Sequence, residues 1–120
     1  MDMLATSSNT GVYASEEAAL KAVVRRLKSA IRPSRIYLVG GRADGNHYPG
    51  SPFQFVVVTR PEDGEKGSDC EYVRRPLRHT GVNVELIPVR ANELQRGIGT
   101  NVRPSMQLIK NGRLLFCKED

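Results

Sequence analysis

Apolar residues recur at helical spacing near the start of the chain, with polar residues between them. They are Leu20, Val23, Val24, Leu27 and Ile31, which fall on one side of a helix. Ser15 is placed to cap that helix, Glu16 and Glu17 suit its positive end, and Pro33 is expected to end it. The preceding residues 1–14 are rich in Ser, Thr, Asn and Gly, and we expect them to form a flexible segment.

Further along the chain, the apolar pattern changes from helical spacing to short runs that predict strands. Ile36–Val39 and Phe53–Thr59 are apolar at nearly every position, which is typical of central strands covered on both faces. Val82–Ile87 and Leu114–Cys117 are further strand candidates. Pro88 is expected to end the third strand, because proline has no N–H to donate to a neighbouring strand.

The segments between these strands predict loops and short helices. Residues 40–51 and 60–67 are expected to be loops. Ser68-Asp69-Cys70-Glu71 fits a capping box and should start a helix that Pro76 keeps short or kinked. Ala91–Arg96 suggests another helix, and Pro104 can begin a last one through Lys110. The element order α-β-β-α-β-α-α-β predicts one α/β domain over residues 15–120.

Composition narrows the functional classes without naming one. The chain has 120 residues, is 39% apolar, and carries a net charge of +5, which favours an acidic partner without identifying nucleic acid. No apolar run approaches the ~20 residues of a membrane span. The start of the chain does not look like a signal peptide. Cys70 and Cys117 lack metal-ligand spacing, so a reduced, cytoplasmic setting is expected, with a disulfide between them as the alternative.

A glycine turn between the first two predicted strands has the layout of a nucleotidyltransferase active site. The residues are Ile36-Tyr37-Leu38-Val39-Gly40-Gly41-Arg42-Ala43-Asp44-Gly45, followed by Ser51-Pro52-Phe53-Gln54-Phe55-Val56-Val57-Val58. In such a site the turn presents backbone N–H groups to the triphosphate. Carboxylates at i and i+2 on the next strand share Mg²⁺ ions, and a third carboxylate helps to activate the nucleophile.

With these residues, the segment from about Ala18 to Lys118 resembles the minimal nucleotidyltransferases of the polymerase-beta superfamily, which include antitoxins that pair with RNase toxins. In that family a strand reading roughly I-Y-L-F-G-S-R-A-R-G is followed by S-D-x-D-L and a run of valines. Glu85, within Val84-Glu85-Leu86-Ile87, stands at the third carboxylate, and residues 104–116 resemble the family's ending. The resemblance implies an α+β fold with a small mixed β-sheet flanked by helices.

The departures from the family pattern fall on the metal-binding positions. Pro52 and Gln54 stand where the family has two Asp residues. Proline offers no ligand, and a neutral amide is a poor substitute for a carboxylate on Mg²⁺. Glu85 alone cannot hold two metal ions, although Asp44 in the glycine loop is an alternative carboxylate. We therefore expect no catalytic residues, no metal and no other cofactor.

Contacts to a nucleotide are nevertheless implied for residues of the glycine motif. They are Gly40, Gly41, Arg42 and Ser51. The alternative for the glycines is a tight turn that needs positive φ. The alternative for Arg42 is an ordinary solvated side chain.

Three functions follow from this combination of motif and missing carboxylates. The preferred hypothesis is a pseudoenzyme that retains the nucleotidyltransferase-like scaffold and acts by binding a protein partner, as an antitoxin does. An active but divergent, Mg²⁺-dependent nucleotidyltransferase is one alternative. A small basic nucleic-acid-binding domain is the other, based on the net charge and on Arg74, Arg75, Arg78 and His79, although a solvated helix face is the default for such a cluster.

Overall fold

The structure, a computed structural model, describes residues 8–118. Its α-helices are α1 (Glu16–Ile31), α2 (Gly41–Asp44), α3 (Cys70–Arg74), α4 (Ala91–Arg96) and α5 (Val102–Ile109). Its strands are β1 (Arg35–Val39), β2 (Phe53–Thr59), β3 (Val84–Arg90) and β4 (Arg113–Cys117). Two 3₁₀ segments, Pro61–Ser68 and Arg75–Leu77, flank α3.

The strands form one mixed sheet in the order β3-β2-β1-β4. β1 runs antiparallel to both β2 and β4, whereas β2 and β3 are parallel. The central positions of β1 and β2 confirm the prediction made from their nearly continuous apolar sequences. The predicted fold class, a small mixed sheet flanked by helices, is confirmed.

Helices cover both faces of the sheet. Successive side chains of a strand point to opposite faces, so the nearly continuous apolar strands present apolar side chains on both faces. Ile36, Leu38 and Phe55 pack on the face covered by α1, together with Val23 and Leu27 of that helix. The opposite face carries another apolar cluster, covered by α4 and α5: Tyr37, Val39, Val56, Val58, Ile87, Val89, Ala91, Leu94, Val102, Leu108 and Ile109. On this second face, Gln54 precedes Val56 and Val58 on β2, so that a polar residue marks the end of the apolar cluster.

Several predicted boundaries are wrong, and each has a local cause. Residues 61–68 form 3₁₀ turns that begin at Pro61, and Asp69 instead of Ser68 caps α3 by accepting a hydrogen bond from Glu71 N at 3.0 Å. β3 continues through Pro88 to Arg90. The Pro88 carbonyl accepts from the Asn101 amide at 2.7 Å, so the backbone of this residue faces the open edge of the sheet, where a missing N–H costs little.

The segment before α1 was predicted to be flexible, and in the structure its part around Asn9 is hydrogen-bonded to the rest of the domain. The Asn9 side chain is 6% exposed. Its amide donates to Ser51 O at 3.0 Å and to Asn83 O at 2.8 Å, and its Oδ1 accepts from Asn83 N at 2.7 Å. Val12 N also donates to Thr80 O at 2.9 Å. These bonds attach the segment to the start of β2 and to the loop before β3, whereas residues 1–7 lie outside the described part of the chain.

We expect Asn9→Ala to lower the free energy of unfolding by about 1–2 kcal/mol, because Asn83 N loses its acceptor and the carbonyls of Ser51 and Asn83 each lose one donor. Urea denaturation of the purified variant measures this loss. Thr10→Ala is the matched control, because the Thr10 hydroxyl makes only an exposed contact with Gly11 O at 3.5 Å. Equal stability of the two variants would show that Asn9 does not anchor the segment.

Two expectations from composition concern the membrane and the cysteines. Among residues 8–118, no helix is both long enough and apolar enough to cross a membrane. Cys70 is exposed, Cys117 is half-buried, and both are free thiols. The alternative of a disulfide between them is therefore not found in the structure.

Candidate functional site

The glycine motif lies at one end of the sheet, where β1 ends and where β2 and β3 begin. Gly40 precedes α2 with φ of 76° and ψ of −154°, a region of backbone conformation that is essentially restricted to glycine. Its carbonyl accepts hydrogen bonds from Ala43 N at 3.0 Å and Asp44 N at 3.1 Å, which close the short helix. The predicted loop at residues 40–51 thus contains one helical turn, and the chain then returns to Ser51 at the start of β2.

Gln54 and Glu85 occupy paired positions on the neighbouring parallel strands β2 and β3. Gln54 Nε2 donates to Glu85 Oε1 at 2.9 Å. The amide nitrogen must face Glu85 because an ionised carboxylate only accepts hydrogen bonds. Gln54 Oε1 then lies against Gly40, where an added Cβ would come within 1.9 Å of it. The Gln54 side chain therefore spans the space between the glycine turn and Glu85.

This arrangement does not fit a two-metal site. Such a site needs several oxygen ligands in near-octahedral geometry around each Mg²⁺. The Glu85 carboxylate is exposed and hydrogen-bonded to the neutral amide of Gln54. Asp44 lies on the exposed surface at the end of α2. Within residues 8–118, no three His, Cys, Asp or Glu side chains are grouped so that they could hold a metal ion.

Arg42 lies beneath the turn instead of projecting into it, and its side chain is only 6% exposed. Its Nε and Nη2 donate to Ser51 O at 3.0 and 2.7 Å. Nη1 and Nη2 also donate to the two carboxylate oxygens of Glu16 at 3.2 and 3.0 Å. The guanidinium carbon stacks 4.1 Å from the centre of the Phe53 ring. Arg42 is therefore not the solvated residue offered as an alternative, and its donors are used within the protein.

The Glu16 carboxylate joins three parts of the chain that are far apart in sequence. Besides Arg42, it accepts from Asn9 N at 2.6 Å and from Gly50 N at 3.2 Å. Hydrogen bonds from Arg42 lower the pKa of Glu16 from 4.5 to about 2, with smaller lowering contributions from Asn9 and Gly50, and partial burial opposes them. The ionised form of Glu16 is thus strongly favoured in the folded chain.

The lowered pKa of Glu16 predicts a loss of stability in acid. A carboxyl group that binds its proton less tightly when folded stabilises the fold above its unfolded pKa. This contribution should disappear as the pH falls from about 4.5 toward 2. We expect it to be about 2 kcal/mol, since the side chain is 24% exposed and solvent screens its charge. Urea denaturation from pH 7 to pH 3 should show this slope, and Glu16→Gln should flatten it. Identical slopes for both proteins would contradict the assignment.

The four residues predicted to contact a nucleotide form two pairs, the two glycines at the turn and two residues whose polar groups are hydrogen-bonded within the protein. Gly40 and Gly41 do lie at the turn, where an added Cβ on Gly41 would come within 3.0 Å of Asn46 O. Ser51 is 7% exposed. Its Oγ accepts a hydrogen bond from Tyr48 N at 3.1 Å, and its carbonyl accepts from the side chains of Asn9 and Arg42. The geometry thus supports structural roles for Arg42 and Ser51, and nucleotide contact by any of the four residues stays a prediction.

Gly40→Ala tests how tightly Gln54 fills the site. We expect a loss of about 3 kcal/mol in the free energy of unfolding, because the backbone conformation is strained for alanine and the new methyl overlaps Gln54. In a Gln54→Ala background the same change should cost at least about 1 kcal/mol less, since the overlap is gone. A double-mutant cycle by chemical denaturation measures the difference. Strict additivity would contradict the packing of Gln54 against Gly40.

A comparison with solved structures identifies the type of fold. The chain is similar to a crystal structure described as a putative nucleotidyltransferase from Sulfolobus solfataricus, with a TM-score of 0.58 and 21% sequence identity. The match covers 84% of this chain and 79% of the other. The chain has a nucleotidyltransferase-like fold. No protein-family model and no curated protein matches its sequence.

Within this nucleotidyltransferase-like fold, the sequence did not identify Glu16 and Asn9, whose hydrogen bonds connect the glycine turn to the rest of the domain. Glu16 was assigned only to the positive end of α1, and Asn9 was placed in the flexible segment. No local signal identifies them, because Glu16 is separated by 26 residues from Arg42 and Asn9 by 74 residues from Asn83. The basic cluster at Arg74, Arg75, Arg78 and His79 is exposed. This exposure agrees with the ordinary interpretation of the cluster as a solvated surface.

Proposed function

We propose that this chain is a catalytically degenerate nucleotidyltransferase-fold module that acts by binding a protein partner. The observation that carries the proposal is the hydrogen bond of 2.9 Å between Gln54 and Glu85. It links two positions that, by resemblance, hold metal-binding carboxylates in active relatives. A neutral amide in this place satisfies Glu85 without a cation.

The backbone around the site supports loss of metal chemistry with retention of the scaffold. Gly40 keeps the positive φ that the turn requires, while Pro52 supplies neither a ligating atom nor an N–H. The fold is held by contacts that need no metal, above all the contacts of Arg42 with Glu16 and Ser51. A stable scaffold without catalytic ligands is suited to binding.

The nature of the partner rests on charge and on analogy. The net charge of +5 favours an acidic partner. By analogy with the family that the sequence resembles, the partner would be an RNase toxin and this chain its antitoxin, acting in the cytoplasm. Because the analogy rests on the fold, it does not identify the partner, which has to be found by experiment.

Affinity purification of the tagged full-length chain from its native host tests the proposal. We expect one protein to co-purify in a fixed ratio and to remain bound through size-exclusion chromatography. A tagged Glu85→Gln variant should retain the same partner, because the proposed binding does not use the vestigial carboxylate. A chain that elutes alone under all conditions would contradict the proposed function.

A further inference from the structure

An apolar groove with a basic margin runs between α1 and the edge strand β4. Its apolar part consists of Leu20, Val24 and Leu115, all half-buried, and the groove encloses about 450 Å³. Lys21, Arg25 and Lys28 line it from the solvent side of α1. Among residues 8–118, no acidic side chain lines the groove. It lies on the face of the sheet opposite to α4 and α5, away from their apolar cluster.

The adjoining edge of the sheet is open and apolar. β4 is the last strand in the sheet order, so in the described part of the chain no strand lies on its outer side. Its pairing with β1 is interrupted between Ile36 and Tyr37, and Leu115 and Phe116 both pack toward the α1 side. Lys28 Nζ lies 4.8 Å from the centre of the Phe116 ring. An exposed apolar edge of this kind is normally covered, often by a helix.

The cations on α1 are spaced in a way that matches another helix. Lys21, Arg25 and Lys28 are separated by four and three residues, so they form a row along α1 beside the apolar row of Leu20 and Val24. A second helix with carboxylates at the same spacing and apolar residues beside them would meet both rows together. Lys21 is also 3.5 Å from Glu17, but both side chains are more than 70% exposed, so this pair is weak.

We propose that this groove binds an acidic amphipathic helix of a partner protein, laid along α1 and over the edge of β4. The inference rests on the proposed function and states the chemistry of the partner surface. A second copy of the chain fits poorly, because symmetric docking would place the basic rows of α1 against each other. RNA is disfavoured because the floor of the groove is aliphatic and Lys28 covers Phe116, the neighbouring aromatic ring.

The test uses a designed helical peptide as the probe, with Glu at i, i+4 and i+7 beside a row of Leu. We expect titration into the isotope-labelled full-length chain to shift the amide signals of α1 and β4. Lys21→Glu with Arg25→Glu should weaken binding of this peptide about tenfold, and should favour a peptide in which Lys replaces Glu. Arg96→Glu with Arg103→Glu is the matched control, with the same charge change at exposed positions on α4 and α5.

Several results would overturn the inference. They are the absence of any signal shifts, shifts confined to other surfaces, equal weakening by the control variant, or equal binding of the acidic and basic peptides. A single-stranded RNA that shifts α1 signals more strongly than the acidic peptide would also overturn it. Because the peptide is designed, the groove can bind it even if purification from the host yields no partner, so failure of the proposed function is distinguishable.

Discussion

Replacing Arg42 with alanine is expected to lower the free energy of unfolding by about 3–5 kcal/mol, the cost typical of breaking a buried ion pair. The change leaves the Glu16 carboxylate, which is 24% exposed, without its cation. It also removes the two hydrogen bonds that Arg42 donates to Ser51 O and the contact with Phe53 at 4.1 Å. Urea denaturation at pH 7 measures the loss.

Two matched variants separate the role of Arg42 from general effects of removing arginine. Arg35→Ala removes an exposed guanidinium that donates to the Tyr37 hydroxyl, and it should cost less than about 1 kcal/mol. In a Glu16→Gln background the cost of Arg42→Ala should fall by at least about 1 kcal/mol, because no partly buried negative charge is then left without its cation. Similar losses for Arg42→Ala and Arg35→Ala would mean that Arg42 is not the centre of this cluster.

Restoring the two missing carboxylates should convert the site into a metal site. The double variant Pro52→Asp with Gln54→Asp adds two carboxylates to that of Glu85. Mutual repulsion of the three negative charges should destabilise the fold when no metal is bound. Saturating Mn²⁺ should then raise its unfolding temperature by about 10 °C. The unaltered chain should change by less than about 1 °C. Thermal unfolding followed by circular dichroism, with and without Mn²⁺, measures both shifts.

The control for this restoration adds Glu85→Gln to the double variant. The triple variant should lose most of the Mn²⁺ effect, because Glu85 is paired with position 54 across β2 and β3. A large Mn²⁺ shift in the unaltered chain would show that the present residues already form a metal site. No shift in the double variant would show that positions 52, 54 and 85 do not converge as inferred.

Much of the fold could be predicted from the sequence because its signals are local. The apolar stripe of α1 and the apolar runs of β1 and β2 each report burial over a few consecutive residues. The Ser15 cap is confirmed, since its side chain accepts from Ala18 N at 3.1 Å. The family resemblance agreed with the third strand and with the final helix and strand, which the local patterns had also predicted.

The remainder depends on contacts between distant segments, which periodicity does not encode. The absence of carboxylates at positions 52 and 54 was visible in the sequence, but the hydrogen bond from Gln54 to Glu85 could be seen only once the register of β2 and β3 was known. The burial of Arg42 against Glu16 could not be predicted, because Glu16 belongs to another element. Asn9 was missed because its polar neighbours are typical of a flexible segment.

Transfer of labelled nucleotide tests most directly the central claim that the nucleotidyltransferase-like fold persists here without its metal chemistry. The purified chain, with its co-purified partner where one is found, is incubated with Mg²⁺ or Mn²⁺ and α-labelled ATP or UTP. The predicted result is incorporation into protein and RNA that equals the incorporation given by a Glu85→Gln variant. Metal-dependent incorporation well above that level, and lost on Glu85→Gln, would contradict the claim.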